Sequence, residues 1–211
     1  MRTHHLAHDR GNRPPTRCPR VTSITLERGF RCDPTVPPSV QPVVHLAVGY
    51  LCWAGYTRLR YDRTPTTWTT IAVLAGAALP DLIDKPLHWW GPVEVGRTVG
   101  HSLLFAVALV AIVWLVTSRR GYPRLGVAFA VGYFSHVLSD VPWHVLSGDF
   151  DELGFLLWPV TPMPEYTGVK PLGTVGGVEV TTLSLEAIIL VVGLVVWWRD
   201  GRPGIGRLIE E

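Results

Sequence analysis

Between Arg97 and Arg119 the chain runs for 21 residues, Thr98–Ser118, without a formally charged side chain. A helix made of that stretch has no polar face to turn to water, and about 20 such residues match the thickness of a hydrocarbon core. Val180–Trp198 repeats the pattern with a single acid, Glu186. These two segments set the expected fold class, an all-α, multi-pass membrane helix bundle. Three further apolar segments, Val43–Thr57, Thr66–Leu82 and Leu125–Val145, bring the expected number of transmembrane helices to about five. The first two are short enough to be buried helices of a soluble bundle, which is the competing architecture. Against it, charged residues make up only 17% of the chain, where soluble domains carry roughly 25%. Gly49, Gly55, Gly76, Gly126 and Gly132 would let helices approach closely, as small residues do in membranes.

The loops carry the topology. If the helices alternate in direction, Arg58, Arg60, Arg63, Arg119, Arg120, Arg124, Arg199, Arg202 and Arg207 fall at one end of the bundle. Lys85, Arg97 and Lys170 fall at the other. The excess of arginine marks the cytoplasmic side, and residues 199–211 become a cytoplasmic tail. Trp68, Trp197 and Trp198 then form one interfacial belt and Trp89, Trp90, Trp143 and Trp158 the other. Residues 1–42 are polar, arginine-rich and without an apolar core, and so are expected to be disordered or a non-native extension. On the second reading, a GTG-encoded Val40 is the true start. A net charge of +2 gives no reason to expect a nucleic-acid partner. Three cysteines without CxxC spacing give neither a disulfide framework nor a thiolate metal site.

Ionisable groups inside apolar segments are costly and mark function by default. Here they are His45, Asp81, Asp84, His101, His136, Asp140, His144 and Glu186. His45 opens the first segment, Asp81 and Asp84 close the second, and His101 opens the third. His136 and Asp140 lie late in the fourth, at the i, i+4 spacing that puts two side chains on one helix face. Alternating helices bring all of these to one end. Clustered carboxylates in a low dielectric repel each other, and a divalent cation removes that cost. The expected ligands are His45, Asp81, Asp84, His101, His136 and Asp140. Their chemistry suits one or two ions, Zn2+ first, with Mn2+ or Fe2+ as alternatives. His144, one turn beyond Asp140, is the candidate catalytic base. Pro142 is expected to kink or end the helix just before it. The plainer readings are a satisfied core histidine for His144, a metal-free His–Asp hydrogen bond for His136 and Asp140, and a loop position for Asp81. Asp84 has Lys85 as a candidate salt-bridge neighbour.

His45, LPDLID (79–84), RTVGHSLLF (97–105) and GYFSHVLSDVPWHVLSGDFDELGFLLWPV (132–160), in that order, resemble the YdjM family of membrane-bound metal-dependent hydrolases. The resemblance covers roughly residues 43–160, with the fifth segment compatible, and implies a membrane-embedded hydrolase domain taken as residues 43–198. The His, Asp, His, HxxxD order is also similar, more loosely, to that of zinc-dependent phospholipase C, although a downstream HxxxE pair is missing here. The expected activity is hydrolysis of an ester or phosphoester of a lipid or lipid-linked substrate by a metal-activated water. The site would face the extracytoplasmic side of the cell membrane, with the bilayer as partner. The alternative is a metal-binding membrane protein without catalysis, serving ion handling or a structural or regulatory role. The Gly- and Pro-rich stretch 148–177 is either a re-entrant flap over the site, with Phe155, Leu156, Leu157 and Trp158 in the membrane interface, or a plain extracytoplasmic loop.

Overall fold

A computed structural model describes residues 42–90, 97–147, 150–162 and 182–205, with the side chains of 142–147, 151–152 and 182–183 outside that description. The expectations for residues 1–41 and 206–211 lie outside the described residues. Five α-helices and one 3₁₀ helix make up the fold: α1 Pro42–Tyr61, α2 Thr67–Trp89, α3 Leu103–Arg119, α4 Pro123–Ser147, the 3₁₀ helix Phe150–Leu157, and α5 Thr182–Arg199. No strand occurs among the described residues, so the all-α expectation holds.

The apolar segments do not map onto the helices residue for residue. α2 continues past Leu82 through both Pro80 and Pro86 to Trp89. α4 likewise continues through Pro142 to Ser147, so that proline does not end it. A helical proline removes one i→i−4 bond, and both helices carry on past that loss. α3 is shorter than the uncharged stretch, because Arg97–Ser102 is non-helical, mostly turn. Its 17 residues rise about 25 Å. Among the described residues no helix is long and apolar enough to cross a membrane.

α2 and α4 form the centre. Each helix places a glycine against the other's backbone: a Cβ on Gly76 would overlap the Phe129 carbonyl, and one on Gly132 the Val73 carbonyl. Only the missing side chains allow this approach. Gly49 and Gly126 are also in close contact, whereas Gly55 faces open space. α1 packs on α2, α4 and α5, and α3 packs on α4 and the 3₁₀ helix. Trp53, Val73 and Ala128 form one buried cluster; Ala106, Tyr133 and Val137 form a second.

The directions alternate as expected. Gly49 lies near Ala77 while Trp53 clusters with Val73, so α1 and α2 are antiparallel. Ala47 meets Gly193 while Tyr50 reaches Asp200, so α5 runs with α1. The start of α1, the end of α2, the entry to α3 and the end of α4 therefore share one end of the bundle. The arginine-bearing turns share the other. The outward faces of α3 and α5 are apolar and exposed, with Val107, Ile112 and Val116 on α3 and Ile188, Val191 and Leu194 on α5.

Candidate metal centre

His136 sits on α4 where the Gly76–Gly132 contact draws α2 close, and its Nδ1–H donates to the Ala77 carbonyl on α2 at 2.6 Å. His45, on the first turn of α1, stacks on the His136 ring with centroids 3.8 Å apart. Behind His45 stands Ser139. Its hydroxyl donates to the His136 carbonyl at 2.8 Å, which leaves its lone pairs for the proton on His45 Nδ1 at 2.7 Å. His101 comes from the turn before α3, and its Nδ1–H donates to Asp84 Oδ2 at 2.7 Å. Each imidazole thus spends its one N–H on an acceptor behind it, the acceptors fixing all three tautomers.

The consequence is that three Nε2 lone pairs face one another. With the imidazoles neutral, His101 Nε2 lies 3.1 Å from His136 Nε2 and no proton stands between them. Asp140 Oδ2 is 3.4 Å from His101 Nε2, and Asp140 Oδ1 is 3.7 Å from His45 Nε2. Asp81 Oδ1 is 3.9 Å from His136 Nε2. Asp140 Oδ1 is buried and accepts no hydrogen bond among the described residues. Four donors at about 2.05 Å from a tetrahedral ion stand roughly 3.3 Å apart, close to the spacings found here. Two triads in particular, His45–His136–Asp140 and Asp81–His101–His136, bring their ligand atoms within 4.8 Å of one another. Both the carboxylate oxygen that accepts no hydrogen bond and the facing lone pairs fit a cation.

Two side chains balance the acids. Lys85 Nζ is 2.8 Å from Asp81 Oδ2, one turn along α2. Arg97 Nη2 is 3.3 Å from Asp140 Oδ1, with its guanidinium carbon 5.9 Å from the centre of the Phe155 ring. Phe155 is fully buried and meets the His101 ring edge-on at 6.3 Å. The 3₁₀ helix thus brings Phe155 against the site; the rest of the 148–177 stretch, residues 148–149 and 163–177, lies outside the described residues.

Of the six expected ligands, the structure brings five together. Asp84 is the correction. Both of its oxygens are occupied, by Thr98 N (2.7 Å), Thr98 Oγ1 (3.1 Å), Gly100 N (2.9 Å), His101 N (3.2 Å) and His101 Nδ1 (2.7 Å). A carboxylate has about four lone-pair sites, so none is left for the cluster. Asp84 instead folds the 98–101 turn and aims His101. The turn is locked from outside as well. Gly100 lies against the Pro80 backbone with no room for a Cβ, and its carbonyl accepts from Tyr133 Oη at 2.6 Å. Ser102 Oγ donates to the Trp158 carbonyl at 2.6 Å.

Ser139, Arg97 and Phe155 were not placed at the site by sequence reasoning. Ser139 carried a weak signal, one residue before Asp140 and three after His136. His144 lies on α4 one turn beyond Asp140, and its side chain is outside the described residues. Glu186 is buried near the start of α5.

With this geometry in hand, the comparison with known families is decisive. The model of the YdjM inner membrane protein family matches residues 40–202. The chain belongs to the YdjM family. Membership accounts for the exposed apolar faces of α3 and α5, since the family is one of inner membrane proteins. No curated protein and no solved structure matches the chain.

Proposed function

We propose that this YdjM-family chain is a multi-pass membrane protein that binds one or two divalent cations and hydrolyses an ester or phosphoester of a lipid or lipid-linked substrate. The observation that carries this reading is the convergence of three Nε2 lone pairs on Asp140 and Asp81, with every Nδ1–H committed elsewhere. His45, Asp81, His101, His136 and Asp140 would hold the ion. His136 belongs to both triads and has one lone pair to give, so a single ion with up to five donors is the simplest occupancy. Zn2+ fits this nitrogen-rich set best, with Mn2+ or Fe2+ as alternatives. When bound, such an ion supplies Lewis acidity and an acidified water.

The chain's own residues do the remaining work. Ser139, Asp84 and the Ala77 carbonyl hold the imidazoles in the one tautomer that can ligate. Phe155 excludes water from the His101 side. His144, next on the same stripe of α4, is the proposed general base. The exposed apolar side chains of α3 and α5 support contact with lipid. The arginine-rich end supports a cytoplasmic placement for that side, leaving the site extracytoplasmic. A lipidic substrate follows from that position at the membrane boundary.

The test is elemental analysis of protein purified without added metal, followed by phosphatase and lipase assays with and without chelator. The expected result is stoichiometric metal and turnover that chelator abolishes and metal restores. Stoichiometric metal with no turnover on any ester would leave a metal-binding membrane protein without catalysis. Absence of metal from both native and reconstituted protein would defeat the reading altogether.

A further inference from the structure

At the end of the bundle away from the metal centre, the start of α2 and the α3–α4 turn enclose a cavity of about 760 Å³. That is within the roughly 300–1,000 Å³ of small-ligand sites. Trp68 and Thr69 line one side and Tyr122, Arg124 and Leu125 the other, and none of the lining residues is acidic. The Thr66 and Thr69 hydroxyls are spent on each other and on the cap of α2. What remains is the Trp68 indole N–H, the Tyr122 hydroxyl and the Arg124 guanidinium, none of which makes a hydrogen bond or ion pair among the described residues. Arg124 is held instead over the face of the Tyr61 ring, 4.9 Å from its centre. A ring face holds the cation without spending its N–H donors. Indole and guanidinium can only donate, so this set suits a ligand built of acceptors, an anion.

The surroundings say what kind of anion. Trp68 is 67% and Tyr122 64% exposed. In a member of an inner membrane family, amphipathic rings exposed at a helix end mark the level of the lipid headgroups. Above the cavity, α2 and α3 both pack on α4 while their backbones stay apart, which leaves a furrow floored by α4. At the metal end Gly100, just before α3, lies against the Pro80 backbone and closes it. Trp68, Ile71 and Ala75 recur at i, i+3 and i+7 on one face of α2, and all three are exposed. A free phosphate would use the cavity and leave Ile71 and Ala75 bare. An acyl chain would cover them. Basic pockets set between helices at a membrane boundary take phosphorylated lipid headgroups.

We infer that this cavity binds an anionic phospholipid, with its phosphate on Arg124, its headgroup between Trp68 and Tyr122, and one acyl chain along Ile71 and Ala75 in the α2–α3 furrow. The site is separate from the metal centre and independent of the chemistry proposed there.

The experiment uses the full chain purified in detergent, titrated with phosphatidylglycerol, phosphatidylcholine or glycerol 1-phosphate, with bound ligand read by native mass spectrometry. The wild type should retain one phosphatidylglycerol about tenfold more tightly than phosphatidylcholine, whose choline cation offsets the phosphate charge. Arg124→Gln should remove most of that preference. Arg124→Lys keeps the charge without the fork and should fall between. Arg120→Gln alters an arginine outside the cavity lining and should bind like the wild type. Helical circular dichroism is recorded for each variant; if Arg124→Gln is misfolded, Arg124→Lys decides by the same comparison. Equal retention of the two lipids by the wild type overturns the inference. So does an equal loss in Arg120→Gln and Arg124→Gln, which would mean diffuse attraction to the arginine-rich end. Glycerol 1-phosphate bound as tightly as phosphatidylglycerol overturns it as well, since the furrow would then contribute nothing and a soluble phosphate would be the occupant.

Discussion

Asp140 and Asp200 lie at opposite ends of the same bundle, both almost completely buried, and are met in opposite ways. Asp200 accepts from Tyr50 Oη at 2.7 Å and pairs with Arg58, so its two oxygens tie α1 to the end of α5. Asp140 has His45 and His101 as neighbours, but both present lone pairs when neutral, and Arg97 stands beside it at 3.3 Å. Burial alone does not say what a carboxylate is for. A buried acid supplied with donors is a clasp, and a buried acid facing other acceptors is what the proposed cation site calls for. Asp84 makes the point within the site itself: three residues from Asp81 on α2, it is fully supplied with donors and is therefore a clasp.

The comparison can be broken at several points. The largest effect is expected from His136→Ala, because both triads contain that residue. Metal measured on the purified variant should fall to background while the helical circular dichroism persists; retained metal would mean that the triads do not form the site. Next is Asp84→Ala, which strips five donor contacts from a buried turn. Each stranded donor costs about 1–3 kcal/mol, so thermal or denaturant unfolding should show a loss of about 3 kcal/mol or more, with metal affinity reduced on the order of 10–100-fold. A variant as stable as wild type would show that the turn does not depend on Asp84.

Gly132→Val should come third. The new side chain meets the Val73 carbonyl, and such overpacking typically costs about 1–3 kcal/mol. Because the α2–α4 spacing also sets the His136–Ala77 bond, metal affinity should fall with stability. Stability lost at unchanged affinity would separate seam from site. Asp200→Asn should cost about 1 kcal/mol and leave metal content untouched; a matching loss of metal would show that the two ends are coupled. The smallest effect is expected from Ser139→Ala. It should weaken metal binding by roughly tenfold with stability changed by about 1 kcal/mol or less. An unchanged dissociation constant would remove Ser139 from the set of residues that orient ligands.

Much of this was legible before any coordinates. Apolar segments separated by arginine-rich turns are enough to locate five helices, because an apolar run of that length has few other ways to satisfy its backbone. Alternation then places His45, Asp81, His101, His136 and Asp140 at one end without knowledge of any contact. The helix termini were less legible. Pro142 is expected to kink or end its helix, yet α4 runs on through it, as α2 does through Pro80 and Pro86. His101 read as part of α3, yet belongs to a turn.

What the sequence by itself determined is therefore which residues share an end of the molecule, since that follows from segment count and chain direction. What only the tertiary structure decided is their roles. Asp81 and Asp84 are the same residue type on the same helix, and nothing in LPDLID says that one meets a histidine lone pair and the other an N–H. That difference depends on which donors the 98–101 turn delivers across space, and hydrogen-bond direction is a property of the partner as much as of the residue.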